Sequence, residues 1–401
     1  MAGVGLYLHI PFCRHRCAYC DFNTYAGMDD LIPEYVEALC AEAEFVTAYF
    51  EQPLPVETIF FGGGTPSLLR PTDLDKILDR LFKRFVVRPN AEITLEANPG
   101  TIDLAYLREI YALGINRLSL GMQSANQFEL SLLWREHNWL DVLNSVSWAR
   151  RAGFENINLD LMFGLPDQAI KTWLRSLHQA IALQPTHFSL YALTLEHGTP
   201  MHAWVSRGLM SEPDSDLAAE MYELAGEMME KNGYNQYEIS NWAIRENSKG
   251  ILSCRHNLIY WRNLSYIGLG AGAHGYANEM RVANVLSPNQ YIKRLTKNDT
   301  TFREAASPRN REYPWTPATA SIIRIDRQTE MAETMLMGLR LTEEGVAKST
   351  FYERFGVSLT DVFAPQLGSM LKRGLLEWQG EVVRLTPRGR LLGNQVFLQF
   401  V

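Results

Sequence analysis

Six short β-branched or aromatic runs alternate with helical stretches through the first half of the chain, and that alternation constrains the fold more than any other feature. The runs are Leu6 to Phe12, Val56 to Phe61, Glu92 to Leu95, Arg117 to Met122, Ile157 to Leu161 and His187 to Ala192. Between them lie Ile32 to Phe50, Thr72 to Phe85, Leu104 to Leu113, Leu140 to Ala152 and Lys171 to Leu183, each with helical character. A strand followed by a helix and another strand cannot close a tight hairpin, so the pattern predicts a parallel sheet of the α/β class with right-handed crossovers. In such sheets and barrels chemistry gathers at the carboxyl ends of the strands. Those ends carry Cys13, Cys17 and Cys20, then Gly63 and Gly64, then Glu96, Gln123 and Asp160.

The three cysteines form Cys13-x-x-x-Cys17-x-x-Cys20 directly after the first strand, while the remaining two of five, Cys40 and Cys254, lie far away. A four-iron cube takes four ligands, so three thiolates leave one iron open for a small molecule. The competing readings are structural cysteines or a zinc site completed by His9 or His15. Zinc motifs normally pair two separated dyads, and ligands this close together suit the cube better. An odd cysteine count, with no apolar signal segment ahead of Val4, argues for a reducing cytoplasm.

The other strand-end residues have chemical uses beside plainer ones. Gly62-Gly63-Gly64-Thr65-Pro66 lets backbone groups approach a ligand closely, and reads equally as a tight strand-to-helix turn. Glu96 can accept hydrogen bonds from ribose hydroxyls, Gln123 offers both donor and acceptor, and Arg135, placed on the helix after the fourth strand, can clamp a carboxylate. Each could also be a surface or capping residue. Asp160, inside Ile157-Asn158-Leu159-Asp160-Leu161, is expected to be buried and so must find a partner.

With Lys+Arg 38 against Asp+Glu 45, the net charge of −7 leaves no basic excess to hold nucleic acid. No apolar stretch approaches the roughly 20 residues that span a bilayer, so any membrane contact is peripheral. The stretch from about Asn298 to Thr319 is polar and proline-punctuated. The expected organisation is therefore a first domain over 1–297, a linker or insertion over 298–325 and a C-terminal domain over 326–401. Glu330 to Leu341, Lys348 to Phe355 and Leu359 to Arg373 read as helices, and Leu375 to Trp378 with Val382 to Leu385 as a hairpin. Three helices and a hairpin make a winged-helix-like α+β pattern. Beyond Lys372 and Arg373 it shows no basic recognition helix, which favours a protein- or ligand-covering role.

The cysteine loop, with Tyr19 just before its third cysteine, resembles that of the radical S-adenosylmethionine superfamily. Tyr-x-His-Ile-Pro-Phe-Cys at 7–13, Gly-Gly-Gly-Thr-Pro-Ser at 62–67, Glu-Ala-Asn-Pro-Gly-Thr at 96–101, Arg-Leu-Ser-Leu-Gly-Met-Gln-Ser at 117–124 and Asp-Leu-Met-Phe-Gly-Leu-Pro at 160–166 are similar to the oxygen-independent coproporphyrinogen III oxidase group. Within that group the true oxidase has a further cysteine where this chain has Phe22. His256-Asn257-Leu258-Ile259-Tyr260-Trp261 resembles instead the His-Asn-x-x-Tyr-Trp signature of the group's heme-chaperone branch.

The resemblance implies a partial (β/α)6 barrel, a [4Fe-4S] cluster on Cys13, Cys17 and Cys20, bound S-adenosylmethionine, and heme as cargo for acceptor proteins, membrane-bound respiratory ones among them. It implies Tyr7 near the sulfonium and Tyr19 near the adenine. Gly63, Gly64 and Thr65 would lie along the methionine, Glu96 and Gln123 at the ribose and neighbouring polar groups, Arg135 at the carboxylate and Asp160 at the ribose. His256 would be a heme ligand, with His274 and Cys254 as rivals. One departure stands out: the family commonly reads Gly-Arg-x-His where this chain has Trp134-Arg135-Glu136-His137.

Overall fold

The computed structural model describes residues 3–50, 52–246, 250–296 and 315–400. They form two compact units, Met1–Ala225 with Ser265–Ile323, and Gly226–Leu264 with Arg324–Val401.

In the first unit six parallel strands follow one another in chain order: β1 (Val4–Ile10), β2 (Pro55–Gly63), β3 (Val86–Ala97), β4 (Arg117–Gln123), β5 (Asn156–Phe163) and β6 (His187–Ala192). The crossovers are α1 (Ile32–Thr47), α2 (Pro71–Arg84), α3 (Leu104–Ala112), α4 (Trp139–Ala152) and α5 (Ile170–Ala182). Helix α2 shows why such segments pack as they do: Leu74, Ile77, Leu78 and Leu81, spaced i, i+3, i+4, i+7, are its buried stripe. This is the expected partial (β/α)6 barrel. Beyond β1 the sheet continues through Tyr266–Leu269, parallel to β1, into the antiparallel strands His274–Ala277 and Met280–Asn284.

Two-sided burial usually makes parallel strands apolar throughout. Here only one face is. Leu118, Leu120, Leu159, Leu161, Phe188 and Leu190 are almost fully buried on it. The intervening positions Thr94, Glu96, Arg117, Ser119, Asn158, Asp160, His187 and Ser189 share the opposite, lumen-facing side of the pleat.

In the second unit Tyr234–Glu238 and Asn241–Glu246 pair antiparallel, and Val346–Ala347, Val382–Leu385 and Leu376–Gln379 form a small sheet. Helices Arg327–Gly338, Lys348–Phe355, Leu359–Val362 and Ala364–Lys372 surround a core that includes Phe351, Phe355, Leu367, Met370 and Val383. The stretch read as one helix from Leu359 to Arg373 is broken at Phe363, because Pro365 enters the first turn of the second piece and cannot continue a helix from before it.

Grouping residues 226–264 with the C-terminal segment differs from the sequence-based division at 297 and 326. The reason is long-range pairing. Glu238 bridges to Leu341, the Thr342 amide donates to the Tyr237 carbonyl at 3.0 Å, and Arg340 covers the Trp261 ring at 4.4 Å. Of the proline-punctuated stretch, 297–314 lies outside the described residues, while Thr319–Arg324 forms a strand beside Met280–Asn284 rather than a linker. Among the described residues no helix is long and apolar enough to cross a membrane.

Candidate cofactor site at the barrel mouth

The cysteine loop is held in place by backbone bonds from several elements. Its short strand Phe12–Cys13 pairs with Tyr25–Ala26, the Ala18 amide donates to the Leu133 carbonyl at 3.3 Å, and the Ala18 carbonyl accepts from Met201 at 3.0 Å. Ala18 itself is buried among Leu133, Met162, Leu165, Leu193 and Met201, an apolar plug under the loop. Each thiol has a polar neighbour. The Thr65 hydroxyl donates to Cys13 Sγ at 3.6 Å, Arg135 Nη1 donates to Cys17 Sγ at 3.5 Å, and Cys20 Sγ lies 4.0 Å from the Thr24 hydroxyl. Burial pushes the Cys13 thiol up to about 11, with Thr65 pulling the other way.

The thiols open onto a cavity of about 380 Å³ at the carboxyl ends of the strands. Its lining brings together Cys13, Cys17, Tyr19, Cys20, Gly63, Gly64, Thr65, Glu96, Gln123, Arg135 and Asp160, with Phe22 and Tyr191 also on the wall. Tyr7 is not on that lining. Its hydroxyl meets His9 Nδ1 at 3.0 Å, and His9 Nε2 meets the Asn23 carbonyl at 2.9 Å. His256 belongs to the second unit, where it is 1% exposed and its Nε2 lies 2.8 Å from the Tyr260 hydroxyl. His274 is exposed, and Cys254 is buried.

Backbone shape accounts for the glycines. Gly63 sits at φ +111, and a Cβ there would stand 2.6 Å from the His9 ring; at Gly64 it would stand 2.6 Å from the Phe12 carbonyl oxygen. Only hydrogen fits, and the Gly63 amide is thereby free to donate to Glu96 Oε2 at 3.1 Å. Gln123 closes β4 at φ 62, where the register with β5 breaks between Leu120 and Gln123. A left-handed glutamine at a cavity wall is the kind of local strain that functional sites hold.

Arg135 is not on a helix, contrary to its expected place. The helix Gln127–Leu132 ends in a Schellman turn: the Arg135 amide donates to Leu130 at 2.8 Å and the Trp134 amide to Ser131 at 3.1 Å. The left-handed residue this turn demands is Trp134, at φ 57. That explains the family's glycine at this position, and here the indole packs on His15 at 5.5 Å and Trp204 at 5.2 Å. Thrown back over the cavity, Arg135 Nη2 donates to the Asn98 side chain and to the Gly121 carbonyl at 2.7 Å. Its Nε is buried without a hydrogen-bond partner. His137, held neutral by burial with its pKa lowered to about 4, meets the Met122 carbonyl at 3.0 Å and anchors the turn to β4.

Asp160 finds its partners: Asn158 donates at 2.7 Å and Ser119 at 3.2 Å. Glu96 is pushed up to about 8, by burial first and by Asp160 next. The supporting residues Asn98, Arg117, Ser119, Asn158 and His187 were missed as site residues, although a period-two alternation of polar with apolar residues in β3 to β6 marked them. A cavity with three thiols at one wall, a buried donor without a partner and two carboxyls opposite fits a cluster with a cationic nucleoside beside it.

A family model, the radical SAM superfamily, matches residues 7–180, and another, the HemN C-terminal domain, matches 325–392. The heme chaperone HemW of Bacillus subtilis is 37% identical over 398 residues, covering 98% of both chains. The chain belongs to the HemW family of the radical SAM superfamily. The Escherichia coli heme chaperone HemW is 34% identical, with 99% of this chain and 98% of that protein covered. Mouse radical S-adenosyl methionine domain-containing protein 1, mitochondrial, is 35% identical, covering 93% of this chain and 81% of its own. Among solved structures, the radical SAM enzyme coproporphyrinogen III oxidase (HemN) from Escherichia coli superposes with a TM-score of 0.80, covering 99% of this chain and 90% of that one. At 22% identity that likeness speaks for the fold alone. HemW membership in this superfamily implies a [4Fe-4S] cluster and S-adenosylmethionine.

Proposed function

We propose that the protein is a heme chaperone, binding heme and delivering it to acceptor proteins while carrying a [4Fe-4S] cluster and exchangeable S-adenosylmethionine at the barrel mouth. The observation that carries this reading is the near full-length likeness to proteins named heme chaperones, at 37% and 34% identity. Phe22, 63% exposed on the cavity wall where the oxidase has its further cysteine, removes the thiol that a decarboxylase of this group would bring.

In this reading Cys13, Cys17 and Cys20 hold three irons and leave the fourth open to the cofactor. When bound, the cluster and S-adenosylmethionine supply one-electron reducing chemistry at the sulfonium. The chain's own residues set the stage. Thr65 and Arg135 stabilise the thiolates of Cys13 and Cys17 as hydrogen-bond donors, and such bonds to sulfur tune a cluster's potential. Arg135 Nε–H faces the carboxylate, Asp160 and Glu96 take the ribose hydroxyls, Gln123 the neighbouring polar groups, and Tyr19 the adenine. Tyr7, whose hydroxyl meets His9 Nδ1, lies near the sulfonium.

His256 is the proposed heme ligand, since imidazole nitrogen is a natural donor to heme iron. Its Nε2 is engaged by Tyr260, so ligation requires that contact to open. The acceptors are taken to include membrane-bound respiratory proteins reached from the cytoplasm.

Anaerobic reconstitution followed by parallel assays tests the reading. Heme uptake and transfer without conversion of coproporphyrinogen III supports it, and porphyrinogen turnover overturns it in favour of the oxidase. An unaltered heme spectrum in His256→Ala removes only the ligand assignment.

A further inference from the structure

Beneath the two carboxyls the lumen contains a buried cation. Arg117, at the start of β4, is 2% exposed. The pleat places it on the same face as Ser119, whose hydroxyl donates to Asp160, and pairs it with Thr94, two residues before Glu96. Across the floor His187 Nδ1 lies 2.6 Å from Asn158 Oδ1, and the Asn158 amide reaches Asp160 Oδ1 at 2.7 Å and the Ser119 hydroxyl at 2.8 Å. A guanidinium withdrawn from water persists only where anions compensate it. Carboxyls share its face of the pleat on both sides: Glu92, two residues before Thr94, with Glu96 one row and Asp160 two rows above.

We propose that Arg117 is a positioning residue for the S-adenosylmethionine pocket, its buried charge keeping Glu96 and Asp160 as the hydrogen-bond acceptors that ribose hydroxyls require. This rests on the reading of the cavity as a site for that cofactor. The ionisable groups around the pair are Glu92 and Glu96 on β3, Arg117 on β4, Asp160 on β5, His187 on β6, Tyr7 on β1, and Tyr19 and Arg135 at the mouth. His187 is kept neutral, its pKa lowered well below the ordinary value by burial and by Arg117, while burial holds the phenols of Tyr7 and Tyr19 up. Arg135 is committed to Cys17, Asn98 and the Gly121 carbonyl. Arg117 lowers both carboxyls against the burial that raises them, alongside the Gly63 amide at Glu96 and the Asn158, Ser189 and Ser119 donors at Asp160.

The test is the pH profile of cofactor affinity, measured by calorimetry on the cluster-loaded protein. S-adenosylmethionine is one probe, and methylthioadenosine, with the same ribose but no titratable amine, is the other. Affinity for both should rise with pH as the pair ionises. In Arg117→Met the rise should move up by about one pH unit or more, which is about tenfold weaker binding at a fixed pH on the slope. Arg117→Lys should stay near wild type. Infrared spectra should show the carbonyl band of a protonated carboxyl, absent in Glu96→Gln and stronger in Arg117→Met. Equal midpoints in wild type and Arg117→Met overturn the inference. If Arg117→Met does not fold, Arg117→Lys decides, and a midpoint displaced by a full unit despite the retained charge overturns it. A wild-type protein that binds neither probe overturns the cavity reading itself, a distinguishable failure.

Discussion

Two glutamates in the first unit, Glu42 buried and Glu96 half-buried, show how differently one residue type is used on the two sides of the barrel. Glu42 on α1 is 1% exposed and receives the Gly270 amide at 2.8 Å, Asn284 at 2.7 Å, Tyr291 at 2.5 Å and Thr316 at 3.0 Å. Burial pushes it up and four donors push it back. Glu96 has the Gly63 amide, a second carboxyl as neighbour and an open cavity in front. Four donors from well-separated parts of the chain make Glu42 a clasp; one donor and a like-charged neighbour leave Glu96 with capacity to spare for a ligand. Satisfaction of hydrogen bonds, together with burial, separates the structural acid from the candidate functional one.

The largest expected effect tests whether the mouth serves ligands rather than the fold. Cys13→Ser should take iron from about four per chain to essentially none after anaerobic reconstitution. The metal-free protein should melt much as wild type does. A full cluster in that variant would sink the assignment. Next comes the clasp: Glu42→Ala strands several buried donors and should cost about 3 kcal/mol or more in urea denaturation, with cofactor affinity unchanged in whatever remains folded. Were Glu42→Ala neutral and Cys13→Ser strongly destabilising, the comparison would be reversed.

A smaller effect separates the two acids by pH. The Glu96 carboxyl of the metal-free folded chain keeps its proton to about 8, whereas in the unfolded chain it loses it near 4.5. Between those values the folded state holds the extra proton, so the stabilising contribution is complete below the lower value and declines as pH rises towards the upper one. Glu96→Gln should flatten this part of the stability profile, and an unchanged slope would refute the shifted carboxyl. The smallest effect concerns Trp134. Trp134→Gly relieves about 1–2 kcal/mol of left-handed strain but forfeits ring contacts worth about 0.5–1.5 kcal/mol each. Net stability should move by less than about 1 kcal/mol on that balance; a loss above about 2 kcal/mol would make the indole a keystone of the mouth.

Much of the fold was legible because its signals are local. Lys348–Phe355 and β6 coincide with their sequence-based limits; β3 starts six residues earlier than Glu92, and the remaining barrel elements differ by up to three residues. Eleven of the twelve cluster and cofactor residues were readable as strand-end residues or family motifs and share one cavity. Tyr7 is absent from the cavity lining, and its hydroxyl meets His9 Nδ1 at 3.0 Å. Thr319–Arg324 was missed although Ile322 and Ile323 are β-branched, since flanking prolines dominated the reading.

The sequence by itself determined the α/β alternation, the cysteine spacing and the clustering of chemistry at strand ends, because periodicity and spacing are properties of neighbouring residues. Tertiary structure decided what depends on register and long-range pairing. It put Arg117, Asn158 and His187 under the carboxyls, turned Arg135 back over the thiols through a left-handed Trp134, and joined residues 226–264 to the C-terminal segment through Glu238 and Leu341. Such contacts are set by which strands lie side by side and in what register, and a single chain segment carries no record of its neighbour until the fold supplies one.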